Sequence, residues 1–237
     1  MSNLIRAEFY RLKHSSRLFA YIIGLCFGGV VTTFMSNSPG ITRQVIVGTA
    51  PMAMVLSLIA VGISIGRHYQ NRTAYYEVMD GASAHRIILS RICVYVPLMV
   101  GFYFIPVSAI LIYFDGDAEL VRFLSMILII FLRLLIFTIC ACLIFKTVGG
   151  AILPYVRFMI EMWPLMIIVG EGISISDDRL FSVLCWLPFF QCCSLGGEID
   201  NVLIIKIIVG FAVEAAVMYA LAYISHRRKW LIKTLLN

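Results

Sequence analysis

The sequence predicts an all-α integral membrane protein with six transmembrane helices, and three observations carry that prediction. Of the 237 residues, 61% are hydrophobic and only 14% are charged, against about 25% charged in soluble domains. A water-facing fold of this size cannot hide so much apolar surface, whereas lipid accepts it. The apolar residues also gather into runs of about 20, the length an α-helix needs to cross a bilayer. Finally, the positive charges crowd beside those runs, where they set membrane orientation. That placement accounts for the net charge of +6 without a nucleic-acid partner.

The chain opens with SNLIRAEFYRLKHSSR. Ile5, Phe9 and Leu12 fall on one narrow stripe at helical spacing, flanked by Arg6 and Lys13. This predicts an amphipathic helix in the headgroup layer with its apolar stripe down; a charged flank of the first span is the plainer alternative. The spans are Leu18–Met35, Val45–Gly66, Ile92–Phe114, Leu120–Phe145, Gly149–Gly170 and Val202–Ser225. The first is longer than the apolar core of a signal peptide and no small-residue cleavage site follows it, so it is read as uncleaved.

A shorter run, Leu180–Leu195, is interrupted by Pro188 and Gln191. Parity decides its status. Arg6, Arg11, Lys13 and Arg17 precede the first span, and Arg227, Arg228, Lys229 and Lys233 follow the last. Both termini are therefore expected in the cytoplasm, which requires an even number of crossings. Six crossings satisfy this, and Leu180–Leu195 becomes a re-entrant or interfacial segment on the outer side, between the fifth and sixth spans and buried against protein. Residues 1–237 thus form one multi-pass domain of the plasma membrane.

Between the second and third spans lies YQNRTAYYEVMDGASAHRIILSR, an unusually long polar stretch for this chain. Tyr75, Val78 and Met79 share a helical face, with Glu77 and Asp80 off it. Gly81 suits the left-handed position that ends a helix, and Ser83 can cap a second helix running through Arg86 into the third span. A folded cytoplasmic loop that exposes aromatic residues reads as a docking surface, with a solvated connection as the alternative.

Ionisable residues inside spans are rare and usually face the protein interior or a wet cavity. Here they are Arg133, Arg157, Glu161 and Glu214. Arg157 and Glu161 stand four apart and can meet on one helix face. The favoured reading is structural pairing, including Arg133 with Glu161 or Glu214; lining a path or holding a polar substrate group is the alternative. If Arg157 and Glu161 form a simple pair, exchanging the two is expected to be tolerated. Nothing points to catalysis or to a metal: there is no H-E-x-x-H, no G-x-S-x-G and no His/Cys ligand cluster. Cys185, Cys192 and Cys193 allow a disulfide if their segment faces outward, but the seven cysteines form no spaced framework.

These features together resemble the permease subunits of type-two ABC transporters. The resemblance rests on the six spans, the amphipathic start, and the loop pattern Glu77, Gly81, Ser83, Arg86, with Arg91 just before the third span. Ala84 and His85 stand where the family often has a proline before the loop's arginine. The resemblance implies a non-catalytic subunit with no cofactor of its own, ATP and Mg being bound by separate cytoplasmic ABC ATPase subunits. The absence of a phosphate loop agrees with that division. It further implies that the loop is a coupling helix, with Tyr75, Tyr76, Glu77, Met79, Asp80, Gly81 and Arg86 contacting the ATPase, and that the chain pairs with a second copy or a homologous permease. In the family the second and fifth helices line the path, which draws attention to Arg157 and Glu161. Export of, or immunity to, an antimicrobial peptide or similar amphiphile in bacteria is the expected activity. A stand-alone secondary transporter or channel using the intramembrane charges is the alternative, and an intramembrane enzyme a remote third.

Overall fold

The structure, a computed structural model, describes residues 2–14, 39–70, 81–105, 118–146, 148–170, 183–195 and 199–234, with positions 108, 109 and 112. The first expected span, 18–35, and the loop positions Tyr75, Tyr76, Glu77, Met79 and Asp80 lie outside these residues. Among the described residues the secondary structure is helical throughout, with seven α-helices and no strand. They are α1 (Ser2–His14), α2 (Pro39–Gln70), α3 (Ala84–Met99), α4 (Ala118–Phe145), α5 (Leu153–Gly170), α6 (Pro188–Ser194) and α7 (Asn201–Thr234). A π turn, Val100–Phe104, continues α3 just past Pro97, whose ring removes a backbone donor. A 3-10 turn, Val148–Ala151, leads into α5.

Among the described residues two segments are long and apolar enough to cross a membrane, Leu120–Phe145 with 26 residues and Asn201–Arg227 with 27. At 1.5 Å per residue each reaches roughly 39–40 Å, more than the ~30 Å hydrocarbon layer. Their surroundings differ. α4 is central, packed on α2, α3, α6 and α7. Phe123, Ile127, Ile130, Phe131, Leu134 and Leu135 bury the helix on several sides. α7 rests on α4 and leaves Val202, Ile205, Val209, Val213, Val217 and Leu221 exposed along its length. α5 likewise exposes Tyr155, Val156, Met159, Ile160 and Trp163, with Ile152 exposed just before it. Apolar faces of that extent are unsuited to water and suited to lipid or to another apolar surface.

The core forms where α2, α3 and α4 meet. Met54, Leu58, Val61 and Ile65 recur at helical spacing on α2 and belong to one buried cluster with Ile87, Ile88, Val94 and Tyr95 of α3. The hydroxyls of Ser64 and Tyr95 share a hydrogen bond of 2.8 Å inside this core, so the tyrosine is buried without an orphaned polar atom. The 3-10 turn wedges between α2 and α4 because glycine allows it. A Cβ on Gly62 would stand 2.6 Å from the Cα of Ala151, and one on Gly150 would stand 2.8 Å from the Cα of Cys142. Those neighbours are backbone and cannot swing away. Gly62→Leu is expected to destabilise the chain by about 1–3 kcal/mol through overpacking. Thermal unfolding of the full chain in detergent micelles measures this, and an unchanged midpoint would refute the close approach.

Of the short run Leu180–Leu195 the structure describes residues 183–195, and within these the helix α6 is largely buried against protein. Phe189, Phe190, Gln191 and Cys192 of α6 are covered by α2, α4, α5 and α7, while Val183 and Trp186 before it are exposed. Cys185, Cys192 and Cys193 are free thiols. The apolar stripe of α1 divides instead of facing one way. Leu12 is buried and Ile5 packs on the core, whereas Phe9 is exposed. The helix turns toward α3 because Glu8 is drawn to Arg91.

Candidate functional site

The four charges singled out in the sequence come together between α4, α5 and α7. Arg133 of α4 donates from Nε to Glu214 of α7 at 2.7 Å and from Nη1 to the Gln191 side-chain oxygen at 3.2 Å. Arg157 of α5 donates to Glu161 one turn on and, through its other nitrogens, to both carboxylate oxygens of Glu214. It is therefore shared by two carboxylates on two helices. Its guanidinium also lies 4.6 Å from the centre of the Phe137 ring, a favourable cation–π distance.

Glu161 spends its second oxygen on α6, accepting the Phe189 backbone N–H at 2.9 Å. Local sequence explains why that N–H needs it. The first turn of a helix leaves its N–H groups without intrahelical partners. Leu187 occupies the capping position and has no polar side chain, and Pro188 has no N–H to offer. A carboxylate at the positive end of α6 supplies both the hydrogen bond and the matching charge. Phe189 is held further by an edge-to-face contact with Phe158, 5.2 Å between ring centres. Gln191 completes the arrangement, donating to the Cys185 carbonyl at 2.9 Å while accepting from Arg133.

Space for Arg133 is cut into α7 by glycine. A Cβ on Gly210 would lie 2.6 Å from its Nη1. Two arginines and two glutamates sum to zero, and each group meets an opposite charge. Such an arrangement can hold three helices together by paired charge. Of the two partners expected for Arg133, the structure selects Glu214. It also bears on the exchange of Arg157 and Glu161, because Arg157 is paired with Glu214 as well. A glutamate at 157 would face Glu214, and an arginine at 161 would turn donors toward the Phe189 N–H. Gln191 and that N–H were missed as members, although a glutamine inside an apolar run is the signal that a buried partner exists.

The second candidate region is the start of α3. Gly81 has φ of 75°, the left-handed conformation expected of it. The Ser83 hydroxyl accepts the Arg86 N–H at 3.4 Å as the cap of α3. Gly81 and Arg86 are exposed. Beside them opens a recess of about 400 Å³ lined by residues that include Ser83, His85, Ile87, Tyr223, His226 and Arg227. Side-chain bonds tie this end of the helices together: His85 Nδ1 with the Tyr219 hydroxyl, and the Tyr69 hydroxyl with His226 Nε2 at 3.5 Å. Below it, Glu8 meets Arg91, stands 3.1 Å from Arg11 and is 3.9 Å from His68. Burial, with Arg11 adding to it, pushes His68 down to about 4. The His68 ring is therefore neutral at physiological pH.

Arg91 was expected as a basic flank of the third span, and it is instead fully buried. Among the described residues no group of His, Cys, Asp and Glu is placed to hold a metal ion. No protein-family model matches the chain, and neither the curated proteins nor the solved structures give a significant match.

Proposed function

We propose that the chain is the membrane-spanning permease subunit of an ATP-driven ABC transporter. In this reading six helices cross the plasma membrane, both termini are cytoplasmic, and α6 is a re-entrant segment on the outer side. The chain pairs with a second copy or a homologous permease and receives force from cytoplasmic ATPase subunits. Its cargo is an antimicrobial peptide or similar amphiphile, exported or kept out as self-protection. Two apolar helices of membrane-crossing length and the lipid-suited faces of α5 and α7 support the membrane part.

The observation that carries the coupling part is the junction at Gly81. A left-handed glycine and a serine cap separate the loop from α3, and His85 joins the start of α3 to Tyr219 of α7. A push delivered at the loop would thus reach two helices at once. The recess beside the junction offers a partner side chain a place to seat. Gly81→Trp and Glu77→Arg test this. The chain is co-expressed with the product of a neighbouring reading frame that carries a phosphate loop and an ABC signature. Either substitution is expected to lower co-purification at least about tenfold, a loss of ~1.4 kcal/mol, while membrane insertion is unchanged. Undiminished co-purification in both variants would sink the docking assignment. A stand-alone channel is the weaker reading, because the four intramembrane charges already satisfy one another.

A further inference from the structure

We propose that the ionic circuit is a clasp that seats α6, and that parting α5 from α7 releases it; the inference builds on the transporter reading. The path of donors and acceptors begins and ends on α6. The Phe189 N–H binds Glu161, Glu161 binds Arg157, Arg157 binds Glu214, Glu214 binds Arg133, and Arg133 binds Gln191 two residues from the start. An assembly meant only to neutralise charge inside a bundle would not need to close on a separate short helix at both ends.

α6 depends on that closure. At 7 residues it is too short to hold its shape by backbone bonds alone. Its capping residue offers no side-chain bond, so the orphaned N–H is met from outside, by Glu161. The circuit is also placed to sense helix spacing. α5 and α7 share no extended packing seam among the described residues, and Arg157 bridges them with one planar group. Hydrogen bonds of this kind hold only within about 2.7–3.2 Å. A shift of α7 away from α5 by a couple of ångström, on that same scale, forces Arg157 to abandon one carboxylate. Keeping Glu214 frees Glu161 and unsettles the α6 cap; keeping Glu161 leaves Glu214 to Arg133 alone and pulls on Gln191. Either way α6 loosens, and its buried Phe189 and Phe190 become a stopper that can leave its seat.

Cys192 on α6 is a built-in reporter, being fully buried when α6 is seated. Cys142 is a control remote from the circuit, its thiol 3.7 Å from the Gly62 carbonyl. The full chain in lipid nanodiscs is treated with N-ethylmaleimide, and each cysteine is followed by peptide mass spectrometry. Gln191→Leu cuts the circuit at its last member. Arg157→Lys keeps the charge but removes the fork that serves two carboxylates. Both are expected to raise the modification rate of Cys192 about tenfold through local opening while Cys142 keeps the parent rate. Continued protection of Cys192 in both variants overturns the clasp, and so does a parallel rise at Cys142, which would mean general loosening. The readout needs no ATPase and no cargo. A failed co-purification therefore counts against the transporter reading, and a protected Cys192 counts against the clasp alone.

Discussion

Replacing Arg157 with methionine is expected to destabilise the folded chain by about 3–5 kcal/mol, the scale for stranding a buried charge. Methionine matches much of the side-chain volume, so the loss is of charge and hydrogen bonds rather than of packing. Glu161 would keep only the Phe189 N–H, and Glu214 only Arg133. Two carboxylates would then share one cation in a place with little water. Unfolding of the full chain in mixed micelles, followed by far-UV circular dichroism, reads the effect. The exchange Arg157→Glu with Glu161→Arg sharpens it. A simple i,i+4 pair would survive the exchange, whereas the circuit predicts a double variant no more stable than Arg157→Met. A double variant as stable as the parent would show that the links to Glu214 and to α6 carry no weight.

Glu8→Leu is expected to have an effect of similar size, about 3–5 kcal/mol, for the same reason with the signs reversed. Arg91 is fully buried midway along α3, and Glu8 is the carboxylate it meets. Removing that carboxylate leaves Arg91 and Arg11 facing each other across α1 and α3 with a neutral His68 beside them. Escape lies in releasing α1, since the terminal helix is the lighter body to move. Trypsin should then cut after Arg6, Arg11 and Lys13 faster than in the parent. A double variant, Glu8→Leu with Arg91→Leu, is expected to recover most of the stability, because an apolar pair replaces an ion pair at little net change. The four proteins form a double-mutant cycle. A coupling energy near zero would refute a pairing between α1 and α3.

Much of this arrangement could be read in the sequence, and what could not has a common cause. The span Leu120–Phe145 coincides with α4 to within two residues at its start, because a long apolar run has only helix available to it in lipid. Gly81 and Ser83 gave away the start of α3, since a left-handed turn and a cap are local matters decided by single residue types. Arg157 and Glu161 were visible as a pair for the same reason. Glu8 with Arg91 was not, and neither was Arg133 with Gln191. Those partners are 83 and 58 positions apart, and only the packing of helices brings them together. The charged flank at Arg91 looked like an orientation signal because local sequence cannot distinguish a positive residue that faces water from one that faces a distant carboxylate. The stripe Ile5, Phe9, Leu12 shows the same limit. Periodicity identifies a helix with an apolar face, but whether lipid or protein covers that face is decided elsewhere in the chain.

The notch at Gly210 bears on how this chain can change over generations. Arg133 ends where a side chain at 210 would begin, and its guanidinium is pinned there by Glu214 and Gln191. Alanine at 210 makes the tip of Arg133 shift and so disturbs its bonds to Glu214 and Gln191, and loss of the arginine exposes Glu214 to a shortage of cations. Neither first step is free, so the two positions are inherited as a unit. Lineages that keep an arginine at 133 should keep glycine at 210, and those with alanine or larger at 210 should have lost the arginine and lightened the acidic side to match. Genomes, rather than test tubes, hold the record of that bargain.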